Sequence, residues 1–373
     1  MRLSPRHSAR NSVRLLAPLL ALSLLAAACG DDDDEAATTE TTETTAEDTG
    51  ASTTEATAGG EAEGEIFITG SSTVEPISVA VAEGFESIEP GVTVDVEGPG
   101  TGDGFELFCG GEADITGGSR AIKEEEVAAC TEAGVEFLEL KVANDGLTVM
   151  TNPANATVEC LTTADIYALA GPESEGFGQW SDAQPLATEL GSTTVLPPAP
   201  LDIVGPGEES GTYDAFVELA LADVAEQRVE AGAITEDEAG TTRPDYQSSP
   251  DDNTIIQGVE GSDSSFGWVG FAFAQNAGEG VKSLQVDGGE GCVAPTAETI
   301  TDNSYPLSRP LFVYVNTTSL EENPATQAFV DYYLSDEGIA SVEDVGYVAL
   351  PAEELEASRA TLADGTTGTQ VAS

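Results

Sequence analysis

Three short segments combine glycine with small hydroxyl residues at what read as helix starts, a pairing suited to holding an oxyanion. They are Gly70-Ser71-Ser72-Thr73-Val74, Gly100-Thr101-Gly102-Asp103-Gly104-Phe105 and Gly205-Pro206-Gly207-Glu208-Glu209-Ser210-Gly211-Thr212-Tyr213. The first turn of a helix has backbone N–H groups without partners and carries the positive end of the helix dipole. Glycine lets that backbone approach an anion closely, and serine or threonine adds a hydroxyl donor. A fourth segment, Asp114-Ile115-Thr116-Gly117-Gly118-Ser119-Arg120, sets a guanidinium after a strand. Arginine can grip an oxyanion through two parallel hydrogen bonds. Any one loop would equally serve ordinary helix capping, and Arg120 alone a surface ion pair. All four occur in one chain, and that convergence points to an oxyanion site.

The elements that must position these loops alternate. Strands are expected at 66–69, 92–96, 113–115, 135–140 and 147–151, with helices from Glu75, at 101–109 and at 123–131. The second half continues with helices at 162–170, from Ser210, after Asp251 and at 324–334, and strands at 201–204, 266–269 and 311–315. Such alternation predicts a mainly parallel α/β sheet. Two α/β units with a late return to the first give two lobes with a ligand cleft between them. The expected division is 66–146 for the first part of lobe 1, 147–310 for lobe 2, and 311–373 for the return segment and C-terminal tail. Trp180, Trp268 and Phe105 read as packing residues rather than as a sugar cleft.

The N-terminal region reads as an export device. Residues 1–28 begin with four arginines and no acid, then carry an apolar run from Leu15 to Ala28. That run is shorter than the ~20 residues a permanent spanning helix needs. It ends in Leu25-Ala26-Ala27-Ala28-Cys29, which resembles a lipoprotein signal with Cys29 as the lipid-bearing residue. Residues 29–65 contain Asp31–Asp34 and many Thr, Glu and Ala, with no large apolar side chain before the end. They are expected to form a disordered acidic tether.

Composition excludes several chemistries. The lone histidine is His7, inside the signal, so no mature Ser-His-Asp arrangement or histidine metal site can be built. The net charge of −56 argues against nucleic acid as a partner. No metal, cofactor or catalytic group is expected, and the chain reads as a binder rather than an enzyme. Cys109, Cys130, Cys160 and Cys292 remain after Cys29, and an even count in an oxidising compartment suggests two disulfides. Of the three pairings, Cys109–Cys130 with Cys160–Cys292 is favoured, because the first pair closes a local loop within one domain.

Together the segments GSSTVEPI, GPGTGDGF, ADITGGSRAI, NDGLTVMTNP, GPGEESGTYDAF, RPDYQSSPDDNTIIQGV and YPLSRPLFVYVN resemble the PstS-type phosphate-binding proteins of phosphate ABC transporters, most closely the SphX-like branch. The resemblance spans about residues 66–350. It implies the periplasmic-binding-protein type II fold, inorganic phosphate as ligand, and a membrane permease as partner. By motif, Ser72, Thr73 and the Val74 backbone, Thr101 and Gly102, Ser119 and Arg120, and Ser210, Gly211 and Thr212 would hold the anion. Many relatives carry an arginine shortly before the SGT element, where this chain has Pro206 and Gly207, so Arg243 becomes a substitute candidate. Relatives also use an aspartate, where Arg120 falls here, to accept the phosphate proton; Asp103, Asp145 and Asp214 are positional candidates. The alternative ligand is another oxyanion, such as sulfate or molybdate, and the alternative role is sensing.

Overall fold

A computed structural model describes residues 62–370, Glu209 excepted. The signal, Cys29 and nearly all of the tether lie outside the described residues. The tether was expected to end at 65, but Gly64 and Glu65 already pair with Val92 and Thr93 in the first strand.

Among the described residues twelve strands form, in chain order: β1 (Gly64–Gly70), β2 (Val92–Val96), β3 (Ile115–Gly118), β4 (Phe137–Thr151), β5 (Cys160–Thr162), β6 (Asp202–Gly205), β7 (Gln247–Ser248), β8 (Ser265–Gly270), β9 (Lys282–Ser283), β10 (Gln285–Asp287), β11 (Cys292–Val293) and β12 (Ser308–Asn316). The main sheet runs β2-β1-β3-β12-β4-β8-β6-β7, with β9 added on β4. The sheet is parallel at each end, β2-β1-β3 on one side and β8-β6-β7 on the other. Between them β12 runs antiparallel to β3 and β4, and β4 runs antiparallel to β8. This is the two-lobed α/β architecture expected from the alternation, with β4 and β12 as the strands common to both halves.

One expected boundary is wrong. Residues 135–140 and 147–151 were read as separate strands around Asn144-Asp145-Gly146, which looks like a turn. They form one strand of 15 residues instead. Its first part pairs with β12 and its last part with β8. Every residue of β4 except Lys141 is buried, as befits a central strand covered on both faces. Polar side chains in its middle therefore mark a site rather than a turn.

Each half has its own core. Ile66, Ile68, Phe85, Leu140, Val313 and Phe329 belong to the first. Val149, Trp180, Phe216, Phe266 and Trp268 belong to the second. Phe216 stacks on Trp268 with centroids 4.1 Å apart, and the Trp180 indole donates to Ser264 O at 2.8 Å. Phe105 meets Tyr314 edge-on at 4.9 Å. These three aromatic residues are at most 1% exposed, so they are core as expected.

The helices that matter for the site are α1 (Glu75–Ile88), α2 (Thr101–Cys109) and α3 (Glu124–Ala133). In the second half, Gly211–Phe216 continues through a π-helical turn, Val217–Leu221, into Ala222–Glu230. Both favoured disulfides are present: Cys109–Cys130 ties α2 to α3, and Cys160–Cys292 ties β5 to β11. Helices Asp336–Asp344 and Ala352–Asp364 were not anticipated.

Candidate oxyanion site

The first three loops meet through bare backbone. Gly70 ends β1 with φ +121. A Cβ there would fall 2.3 Å from Gly117 O, and a Cβ at Gly104 would fall 2.3 Å from Gly70 Cα. Side chains at these positions would push apart the β1–α1 loop, the start of α2 and the end of β3. Two backbone bonds close the cluster, Ser71 N–H to Gly117 O at 3.0 Å and Gly100 N–H to Gly70 O at 2.9 Å.

Within the first loop, Ser71 organises the turn. Its hydroxyl accepts the Thr73 N–H at 3.1 Å, and its carbonyl accepts the N–H groups of Val74 and Glu75 at 3.0 and 2.9 Å. The Val74 amide, expected to face a ligand, is thus engaged inside the loop. Thr73 is 2% exposed and Ser72 half-buried. In the second loop, Thr101 opens α2 and shares a 2.9 Å hydrogen bond with the Ser119 hydroxyl. Thr101 Oγ1 also accepts the Ser119 N–H at 3.3 Å. The exposed Gly102 follows in the same first turn.

Arg120 does not present an open fork. Its two terminal nitrogens donate to both oxygens of Glu126 on α3 at 2.8 and 2.7 Å. One of them also donates to Ala121 O at 3.2 Å, and the guanidinium lies over Phe105 at 5.6 Å. The Glu126 hydrogen bond chiefly, with the Glu218 charge among the lesser causes, holds Arg120 above its ordinary pKa against burial.

The third loop reaches the first across the two halves. Ser210 caps the helix at Gly211 by accepting the Thr212 N–H at 3.2 Å. One turn on, Asp214 accepts a 2.6 Å hydrogen bond from Ser72. A Cβ on Gly211 would fall 2.7 Å from Ser72 O, so the two backbones touch. Ser72, Thr73, Ser210, Gly211 and Thr212 therefore gather at one place, drawn from positions about 140 residues apart in sequence.

The guanidinium at this place is Arg309 of β12, which sequence reasoning passed over. It donates to Thr73 Oγ1 at 3.0 Å and to Asp145 Oδ2 at 3.2 Å, and its third contact is the Glu218 carboxylate. Asp145 is 4% exposed. Burial pushes Asp145 above its ordinary pKa, with the Arg309 charge pulling the other way. Burial also pulls Arg309 down, and the charges of Asp145 and Glu218 more than compensate. The guanidinium keeps its proton inside a protein, and it lies within ion-pair distance of Asp145 at 3.2 Å. The one signal for Arg309 was the SRP step entering the strong strand at 311–315.

The substitute candidate Arg243 lies elsewhere. It is buried, donates to Asp245 at 2.6 and 2.8 Å, and donates to the carbonyls of Leu169 and Phe177. All these partners belong to the second half, and Arg243 lines a cavity there with Gly207 and Tyr213 of the third loop. Of the aspartates, Asp145 and Asp214 lie at the site, while Asp103 is exposed at the rim of α2.

Carboxylates outnumber guanidiniums here, four to two. Arg120 and Arg309 face Glu126, Asp145, Asp214 and Glu218. What the site offers an anion is hydroxyls and helix-start amides, with the guanidiniums already partnered. Among the described residues there is no group of three or more His, Cys, Asp or Glu side chains placed to hold a metal ion.

A model of the PBP superfamily domain matches residues 37–337. The chain is 36% identical over 266 residues to Protein SphX of Synechocystis sp., covering 71% of this chain and 72% of that protein. It is 32% identical over 260 residues to the phosphate-binding protein PstS of Staphylococcus saprophyticus, covering 69% and 72%. Among solved structures, a possible phosphate binding protein from Planctomyces limnophilus superposes with a TM-score of 0.71 at 37% identity, covering 82% of this chain and 99% of that one. The chain therefore belongs to the PBP superfamily, in the family of SphX and PstS.

Proposed function

We propose that this protein is an extracytoplasmic solute-binding protein that captures inorganic phosphate and delivers it to an ABC importer. Cys29 would carry the lipid that holds it to the membrane, with 29–63 as the spacer. The observation that carries the reading is the meeting of Ser72 and Thr73 with the Ser210–Thr212 turn, from opposite halves, beside one buried guanidinium. Relatives named as phosphate-binding proteins support phosphate as the ligand.

In this reading lobe 1 comprises 66–146 and 311–373, and lobe 2 comprises 147–310. The hydroxyls of Ser72, Thr73, Thr101 and Ser119 close on the anion from one lobe, and Ser210, Gly211 and Thr212 from the other. The amides of Gly102 and Gly211 add helix-start donors. Val74 acts through the shape of its loop, and Arg120 by fixing α3 against α2. Each hydrogen bond to a charged group is worth roughly 1.5–3 kcal/mol, so about eight such donors outweigh the repulsion of distant carboxylates, which salt screens over about 8 Å. The role is binding and release, with no bond made or broken.

Calorimetric titration of the full-length chain with phosphate, repeated in excess sulfate, tests the proposal. Saturable one-to-one phosphate binding that survives the sulfate is expected. Binding of sulfate unaffected by phosphate would contradict it.

A further inference from the structure

Ser210, Asp214 and Glu218 follow one another at intervals of four along one helical run, so they share a face. That face looks at the opposite half: Asp214 takes the Ser72 hydroxyl, and Glu218 takes Arg309. The π-helical turn at Val217–Leu221 sets the position of Glu218, and such turns recur at functional sites. Glu218 is a costly residue to find there. Arg309 already has a buried carboxylate partner in Asp145, and a second acid beside an oxyanion site repels the ligand. Yet the Glu218 side chain is 54% exposed, so it is free to turn into water, whereas Asp145 is not.

We infer that Glu218 is an internal stand-in for the anion, a second carboxylate that reaches Arg309 from the opposite half and is displaced when the ligand arrives. The inference rests on the proposed function. Arg309 reaches Thr73 with one nitrogen and Glu218 with another. An oxyanion seated on Thr73 therefore lies next to the guanidinium edge that Glu218 covers. When the ligand takes that edge, Arg309 keeps two anionic neighbours instead of acquiring a third. The exchange holds the anionic neighbours of Arg309 at two, and it lowers affinity by the strength of the contact it gives up. Glu218 is thus an affinity-setting residue that does not itself hold the ligand.

The test compares Glu218→Gln with Glu226→Gln, which removes a charge from an exposed position two turns further along. Inorganic phosphate is titrated into each full-length protein by calorimetry, and association is followed by stopped flow. Glu218→Gln is expected to lower Kd about tenfold, as for loss of one close like charge, and to speed association. Glu226→Gln should leave both within twofold. An unchanged or weaker Kd in Glu218→Gln, with the wild type binding phosphate, would overturn the inference and leave the proposed function standing. Equal gains in both variants would also overturn it, by assigning the effect to bulk charge. Failure of the wild type and both variants to bind phosphate would overturn the proposed function and this inference with it.

Discussion

Arg309 and Arg243 are both nearly buried guanidiniums, and the origin of their partners separates their roles. Arg243 is 4% exposed and is held by Asp245 and by the carbonyls of Leu169 and Phe177, all within the second half. Its side chain pins one loop to one helix end within that half. Arg309 takes Thr73 from the first half, Glu218 from the second, and Asp145 from the strand common to both. A cation whose partners come from separate bodies senses their separation. A cation whose partners come from one body is structural, however well hydrogen-bonded.

The largest expected effect sharpens this contrast. Arg309→Met strands Asp145 without its counter-ion, and breaking a buried pair costs about 3–5 kcal/mol. Chemical denaturation should show that loss, and in the folded fraction phosphate binding should fall at least about 100-fold, the cost of one charged hydrogen-bond anchor. Arg243→Met should cost about 2–3 kcal/mol of stability through lost charged hydrogen bonds, with Kd for phosphate within about threefold of wild type. Similar binding losses in the two variants would erase the distinction.

Next in size is the contact between loops. Gly104→Ala places a methyl group against the Gly70 backbone, where nothing can yield. It should cost about 1–3 kcal/mol, visible as a lower unfolding midpoint, together with weaker phosphate binding. Gly102→Ala, at a neighbouring position with open space around its Cβ, should change stability by less than about 1 kcal/mol.

A smaller effect is expected at the hydrogen bond between the two halves. Ser72→Ala and Asp214→Ala should each weaken phosphate binding about tenfold, and the double variant should lose little more, since both remove one interaction. Strict additivity in that cycle would mean that Ser72 and Asp214 do not act together. The smallest effect concerns bulk charge. Association with phosphate should speed up modestly between low and physiological salt, because added ions screen the surface carboxylates from the incoming anion. Rates that fall with salt would point to a net positive approach path.

Much of this arrangement was legible in the residues, and the gaps have physical causes. The loop glycines and hydroxyls announced their task because helix starts demand few residue types. The helix starts at 162, 210 and 251 were readable for the same reason, and Thr162, Ser210 and Asp251 each accept an N–H from the first turn that follows. β4 was broken in two because Asn144-Asp145-Gly146 carries a turn signature, and only pairing on both sides keeps that stretch extended. Arg309 was hidden by Pro306 and Pro310, which make its surroundings look like a loop. Pro310 is accommodated in β12 beside a shift of register at Leu311/Phe312. The Glu126 partner of Arg120 was not legible, because a strand-end arginine after glycine-rich backbone looks free, whereas Glu126 lies in the first turn of α3 to meet it. The aromatic residues Trp180, Trp268 and Phe105 were read correctly as core, since large rings on or beside strands bury more readily than they line a cleft.

The central claim is that one anion is held at once by loops from both halves. A crystal structure of the protein grown in phosphate tests it most directly. The account predicts a single phosphate within hydrogen-bond distance of Thr73, of the Thr101–Ser119 pair and of the Ser210–Thr212 turn, with Arg309 at its edge. A phosphate bound to one half alone, or seated beside Arg243 and away from these loops, would contradict it.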